Sequence, residues 1–291
     1  MELSGRRQDS SLEKGEFGFL IVGAGRGGTS LLMGILDQHP DIEVGMEMFS
    51  MDCLMGYGME EPAATIKPQM AQKRCLAFAE KCRLEASKHR NRIWGNKITT
   101  EQLYGLEDHN SVNGGNFPYL HHLFNEVLEG VKVIFILRDG RACVRSKIQR
   151  TGQLMEHACQ RWKYSVRVLR FLADHHPDHH VVRYEELVVK PRDTIDRVCG
   201  FLGIDFQHEM LEGTTNSKIP AEYRSNRLLA EKLSLKGVPR LCHPLLQKEL
   251  YELGHINSIQ YWYGRIRYST RIWELLLVVT ALAVFCYIGF K

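Results

Sequence analysis

An excess of charge, paired cysteines, internal repeats and an N-terminal apolar run are all missing from this sequence. Its 38 lysines and arginines nearly cancel 34 aspartates and glutamates, for a net charge of +4. That balance is too even for a nucleic-acid binder, although basic residues can still gather around an anionic ligand. None of the eight cysteines forms a C-x-x-C pair. Scattered through apolar stretches, they read as free, buried thiols of a reducing compartment. Met1 to Glu16 is polar, without the apolar centre of a secretory signal, and is expected to be a disordered lead. His175, His176, His179 and His180 crowd together around Pro177 and Asp178. An exposed turn before a strand is expected there rather than a metal site. The most informative absence is a single lysine, in the turn after the first strand.

What is present is ordinary globular composition, 44% hydrophobic and 25% charged, enough for one large domain or two small ones. Strand and helix signals alternate. Phe17 to Val22 is a continuous apolar run, the pattern of a buried parallel strand. Leu31, Leu32, Ile35 and Leu36 then give helical spacing from Gly28 to Gln38, stopped before Pro40. Val131 to Leu137 predicts a second strand, followed by helices over about 140–150 and 154–173. A short strand is expected from His180 to Tyr184, and Pro191 opens a helix to Phe201. Glu107 to Pro118, rich in Asn and Gly, is expected to be a mobile surface loop. Alternating strands and helices predict an α/β fold, a parallel sheet flanked by helices, over residues 17–260. In such sheets ligands bind beyond the carboxyl ends of the strands.

The C-terminus has a different character. Ile272 to Phe290 is apolar except for Glu274; as a helix it would be roughly 28 Å long at about 1.5 Å per residue, near the thickness of a bilayer core. Arg265, Arg267 and Arg271 precede it, among the interfacial aromatics Tyr261, Trp262, Tyr263, Tyr268 and Trp273. The expectation is a single-pass C-terminal membrane anchor, with the arginines leaving the large N-terminal part in the cytoplasm.

The missing lysine belongs to Val22-Gly-Ala-Gly-Arg-Gly-Gly-Thr-Ser30. Gly23 and Gly28 have the spacing of a P-loop, and Ser30 sits where its Ser/Thr would. Thr29 occupies the lysine position, and Arg26 is the one cation in the loop. Backbone N–H groups at the helix start can wrap a phosphate, but nothing reaches for a γ-phosphate, which argues against ATP chemistry. A second candidate anion site ends the second strand: Leu137-Arg-Asp-Gly-Arg141, with Ser146 further along the helix and Arg150 one turn beyond it.

With these blocks the chain resembles the sulfotransferases that use 3′-phosphoadenosine 5′-phosphosulfate (PAPS), nearest to the tyrosylprotein sulfotransferase branch. The likeness is carried by Val22 through Asp41, by Leu137 through Ser146, and by Tyr184-Glu-Glu-Leu-Val-Val-Lys-Pro-Arg192 through Ile204, in the family's order. It implies a P-loop NTPase-like sulfotransferase fold with PAPS as co-substrate and no metal. It places Arg26, Gly27, Gly28, Thr29 and Ser30 on the 5′-phosphosulfate, Arg138, Ser146 and Arg150 on the 3′-phosphate, and Tyr184 near the adenine. It makes Glu47 the general base, with Arg26, Lys97 and Ser217 stabilising charge on the leaving phosphate. Met46, Met48 and Phe49 around Glu47 would raise its pKa by desolvation.

The sequence also departs from that pattern. Met46 replaces the first of the family's paired glutamates, and Met48 and Phe49 follow the base where tyrosine-sulfating relatives carry arginines for acidic peptides. The acceptor is left open among a tyrosyl protein, a small molecule, a glycan and a lipid. The methionines from Met46 to Met59 read either as core packing or as the lining of an apolar acceptor pocket. A P-loop phosphotransferase and a nucleotide-binding membrane scaffold without turnover are the other two readings.

Overall fold

The computed structural model describes residues 12–57, 68–112, 117–219, 233–239 and 242–267. The first elements are β1 (Phe17–Gly23), α1 (Thr29–Leu36), β2 (Ile42–Met46), α2 (Pro68–Ala86), β3 (Ile93–Lys97) and α3 (Thr100–Val112). Then come α4 (Tyr119–His121), β4 (Lys132–Leu137), α5 (Gly140–Thr151), α6 (Met155–His175), β5 (His179–Arg183), α7 (Tyr184–Val189) and α8 (Pro191–Leu202). Two further helices, α9 (Cys242–Glu252) and α10 (Ser258–Arg267), close the described chain.

All strand pairings are parallel, in the order β2-β3-β1-β4-β5. β1 sits at the centre and is buried along its whole length, which explains why it reads as an unbroken apolar run. Its Phe17, Leu20 and Val22 enter one core with residues of α2, α3, α4 and α6, while Phe19 and Ile21 enter the other with α1, α7 and α8. A third cluster joins α5, α6 and α9 through Cys143, Val144, Trp162, Leu246 and Leu250. The register aligns Gly23 with Ile136, Ile21 with Lys97, and Met46 with Lys97. The carboxyl ends of β1, β2, β3 and β4 therefore share one edge of the sheet, the edge that the α/β rule assigns to ligands.

The strands and helices expected from periodicity are present, within a residue or two of their expected ends. β2 and β3 were not anticipated. Ile93-Trp-Gly-Asn-Lys97 has neither alternation nor an apolar run, and Gly95 is required because a Cβ there would lie 2.3 Å from the Phe19 ring.

Three expectations change. The proposed loop from Glu107 to Pro118 begins as helix, since α3 runs to Val112; Glu107 is fixed by the Tyr119 hydroxyl and Arg167, and residues 113–116 lie outside the described residues. The end of the N-terminal lead is tied down rather than disordered: Lys14 pairs with Asp41, and the Gly15 N–H donates to the Arg92 carbonyl at 2.8 Å. Residues 1–11 lie outside the described residues. The histidine group is not one exposed turn, because His175 ends α6, His176 is buried, and His179 and His180 begin β5. Among the described residues no helix is long and apolar enough to cross a membrane, and the expected span 272–290 lies outside them. The seven described cysteines are free and buried. Burial pushes the thiols of Cys75, Cys82, Cys143 and Cys199 up to about 12, so they stay protonated and inert at neutral pH.

Candidate active site

The loop from Ala24 to Gly28 turns so tightly that the Gly27 N–H donates to the Ala24 carbonyl at 2.7 Å. Arg26 (φ 70°) and Gly28 (φ 103°) both take left-handed backbone conformations. At Gly28 glycine is needed twice over, for the positive φ and because a Cβ would meet the Tyr184 ring at 2.4 Å. α1 begins directly after it, with no side-chain cap and no acidic residue in its first turn. Its leading N–H groups and positive dipole end, at Thr29 and Ser30, are thus available to an anion.

The second anion motif folds against this loop. Arg26 Nε donates to Ser146 Oγ at 3.0 Å, and Arg138 Nη1 donates to the Arg26 carbonyl at 3.0 Å. Ser146, accepting from Arg26, keeps its own O–H free to donate to a phosphate oxygen. Arg138 is held from behind, where its carbonyl accepts the Trp162 indole N–H at 3.1 Å. Arg150 lies exposed in the last turn of α5. Asp139 caps α5 by accepting the Arg141 N–H at 2.8 Å and also pairs with the Arg141 guanidinium. Burial pushes its carboxyl up, but the hydrogen bonds and charge of Arg141 and the nearby His255 outweigh this and hold it below the usual range. Arg141 is therefore committed to Asp139.

Tyr184 is only 3% exposed. Its ring packs on Gly28, and the Arg138 guanidinium lies 4.2 Å from its centroid. No open face is left for a base to stack on, so Tyr184 shapes the loop as a wall between Gly28 and Arg138. Burial also pushes its phenol up.

Glu47 lies past the end of β2 with φ 56°, followed by Phe49 at φ 62° and a π-helical turn, Ser50–Leu54. Such left-handed non-glycine residues persist only where the surroundings hold them. Here the Glu47 N–H donates to the Lys97 carbonyl at 2.7 Å, and the Ser50 hydroxyl donates to the Glu47 carbonyl at 2.8 Å. The carboxylate pairs with Lys97 through Oε1, and Oε2 accepts the Gln102 amide at 2.8 Å. Lys97 is 2% exposed and the Glu47 side chain 32%.

The apolar enclosure expected of Glu47 is not what surrounds its carboxylate. Met46 turns into one core, while Met48 and Phe49 turn into the other. The methionine run is thereby divided: Met48 packs inward, and Met51 is exposed with its sulfur 3.7 Å from Gln102 Nε2. Met59 lies outside the described residues.

Two residues at the start of α3 escaped sequence reasoning. The Gly25 N–H donates to Glu101 Oε2 at 2.7 Å, and Glu101 Oε1 pairs with the buried Lys147 of α5. Gln102 is the second, bonded to Glu47. No local signal marks either, since an acidic residue and a glutamine in the first turn of a helix are commonplace.

Ser217 comes from another segment. It is exposed, and its neighbours tie its segment to the far end of α1 and to β2. Asn216 Nδ2 donates to Asp37 Oδ2 at 2.9 Å, and Lys218 Nζ reaches Asp37 Oδ1 at 2.6 Å and the Val44 carbonyl at 3.2 Å. The geometry thus joins Arg26, Ser146, Arg138 and Tyr184 in one group and Glu47 with Lys97 in a second. Glu101 and Gln102 stand between the two.

Comparison with known proteins bears on this arrangement. The profile of the Sulfotransferase family matches residues 19–208. A Caenorhabditis briggsae protein that carries the name of a protein-tyrosine sulfotransferase is 24% identical over 204 residues, covering 66% of this chain and 67% of that protein. The Drosophila melanogaster protein-tyrosine sulfotransferase is 25% identical over 209 residues, 66% of this chain but only 39% of that protein. Among solved structures, the sulfotransferase domain from the Synechococcus PCC 7002 olefin synthase superposes with a TM-score of 0.53 at 18% identity, covering 84% of this chain and 97% of that domain. That last likeness is one of fold.

Proposed function

The chain belongs to the sulfotransferase family, and on that premise we propose that it moves a sulfuryl group from PAPS to an acceptor hydroxyl, or to an amine. The observation that carries the donor assignment is the 3.0 Å bond from Arg26 to Ser146. It joins two anion-binding motifs into one clamp, and PAPS has two separated anionic ends. The loop from Arg26 to Ser30 would hold the 5′-phosphosulfate on backbone N–H groups. Arg138, Ser146 and Arg150 would hold the 3′-phosphate.

Glu47 would take the acceptor proton as the oxygen attacks sulfur in line with the departing phosphate. Its pairing with Lys97 and Gln102 fixes the carboxylate before the acceptor arrives, so less reorganisation remains for the reaction itself. Once Glu47 is protonated its hold on Lys97 weakens, and the ammonium can serve the charge growing on the leaving phosphate. Arg26 would act on that same charge. The family resemblance would add Ser217 to the groups acting on that charge.

Both curated relatives are named for protein-tyrosine sulfotransferase activity, so a tyrosyl hydroxyl is the first acceptor to try. Exposed Met51 beside Gln102 and the lack of arginines after Glu47 favour a less acidic, more apolar acceptor than a strongly acidic peptide. Residues 272–290 would anchor the chain in a membrane with its catalytic domain on the cytoplasmic side; unchanged membrane fractionation after deleting 272–291 would remove the anchor.

Calorimetry with 3′,5′-phosphoadenosine and with ADP tests the donor, and tighter binding of ADP would sink the assignment. Transfer from labelled PAPS into a cell lysate, wild type against Glu47→Ala, tests turnover. Equal incorporation by the two would exclude Glu47 as the base. Nucleotide binding without incorporation by either would favour a scaffold.

A further inference from the structure

The outer face of α10 is apolar and uncovered. Ile259, Trp262, Tyr263 and Ile266 are 80%, 59%, 61% and 55% exposed, and their spacing of three, four and seven residues puts them in one stripe. The opposite face is the one that packs. A Cβ on Gly264 would lie 2.5 Å from Gln247 Nε2 of α9, the Gln247 amide donates to the Tyr261 carbonyl, and the Tyr251 and Tyr261 rings meet at a tilt of 31° with centroids 4.7 Å apart. This inner face is made from a glycine, backbone and the Tyr261 ring, while Ile259, Trp262, Tyr263 and Ile266 point outward. A helix stabilised by burial in its own domain has the reverse arrangement.

We infer that the stripe of Ile259, Trp262, Tyr263 and Ile266 rests on a lipid bilayer surface and holds the catalytic domain against it. This rests on the reading of residues 272–290 as an anchor. Three observations favour lipid as the occupant. The apolar run begins at Ile272, five residues beyond the end of α10 at Arg267. Five residues span at most about 18 Å, so wherever that run enters a bilayer the stripe is kept near its surface and the contact becomes intramolecular. A tryptophan and a tyrosine between two isoleucines match the interfacial zone, where amphipathic rings are favoured. Arg265 and Arg267 lie in the same last turn and Arg271 follows, a cationic flank suited to anionic headgroups.

The contact would also orient the enzyme. α10 packs on α9, and α9 shares a core with α5, the helix that carries Ser146. This run of packed helices ties the donor site to the docked face, which suits an acceptor that is itself membrane-bound.

The test uses the full chain with Trp273→Phe in phosphatidylcholine–phosphatidylserine vesicles, some made with lipid brominated high on the acyl chains. Trp94 and Trp162 are buried in the domain, so Trp262 is the reporter. The expected result is a blue-shifted Trp262 emission that brominated lipid lowers by about twofold. Adding Ile259→Gln and Ile266→Gln should abolish that quenching while the chain still floats with the vesicles. A chain that floats with Trp262 unquenched overturns the docked helix and leaves the anchor standing; cross-linked pairs of chains in that case would give the stripe to a second copy. A chain that does not float overturns both.

Discussion

Glu101 accepts the backbone N–H of Gly25 at 2.7 Å across 76 residues of sequence, and the same carboxylate pairs with buried Lys147. The bond commits one N–H of the donor loop to α3 and so helps to fix the loop's conformation. A bare carboxylate there would repel a phosphosulfate; Lys147 neutralises it. The next residue, Gln102, holds Glu47. One turn of α3 therefore sets the donor loop on one side and the base on the other.

Removing this brace should weaken donor binding. Glu101→Ala should raise the Kd of 3′,5′-phosphoadenosine about tenfold, close to 1.4 kcal/mol. Glu101→Gln should cost less, because its amide oxygen can still accept the Gly25 N–H. Calorimetry beside thermal melts separates lost binding from lost folding, and equal Kd values for wild type and Glu101→Ala would dismiss the brace.

Gly28→Ala should damage both loop and fold. The new Cβ meets Tyr184 at 2.4 Å on a backbone with φ 103°, and strain of this kind costs roughly 1–3 kcal/mol. A fall in Tm of about 5 °C is expected for a domain of this size, with nucleotide affinity falling alongside it. Gly130→Ala provides the comparison: its φ is also positive, but nothing lies within 4 Å of the new Cβ, so donor binding should be unaffected.

The base should show in kcat. Glu47→Gln removes the proton acceptor and should lower kcat by about a hundredfold or more, with the KM for PAPS little changed. Gln102→Leu leaves the carboxylate but loosens its aim, for an expected loss of about tenfold in kcat. Steady-state kinetics on both variants checks the order; a larger loss at Gln102 than at Glu47 would contradict it.

Stability should fall on mild acidification. Burial holds His176 and His180 below the ordinary histidine value. The unfolded chain therefore binds protons first, and the stability present above about pH 6.5 is lost as the pH drops from there through the folded values. Asp139, held low mainly by Arg141, adds a second loss below about pH 4. Denaturant titrations at pH 7.5 and 5.5 should show a smaller difference for His176→Phe than for wild type.

The sequence by itself determined the parts of this protein whose physics is local. A buried central strand must read as an apolar run, a left-handed turn against an aromatic ring must be glycine, and a helix opening on an anion carries no acidic first turn. Those constraints made β1, the loop to Ser30, β4 and the Arg138–Ser146 motif legible, and with them the family. Only the tertiary structure decided the rest. Glu101, Lys147 and Gln102 look like ordinary surface-helix residues until the parallel sheet sets α3 between β1 and β2. Ser217 is placed by Asp37 and Val44, not by any motif around it. The surroundings of Glu47 were misjudged for the same reason: Met46, Met48 and Phe49 are its neighbours in sequence, but a left-handed turn sends them into the cores and leaves the carboxylate to Lys97. Neighbours in sequence settle the backbone of β1, β4 and the donor loop, though not the left-handed Glu47, which the Lys97 carbonyl holds; the partners of a charged side chain are settled by which distant strands end at the same edge.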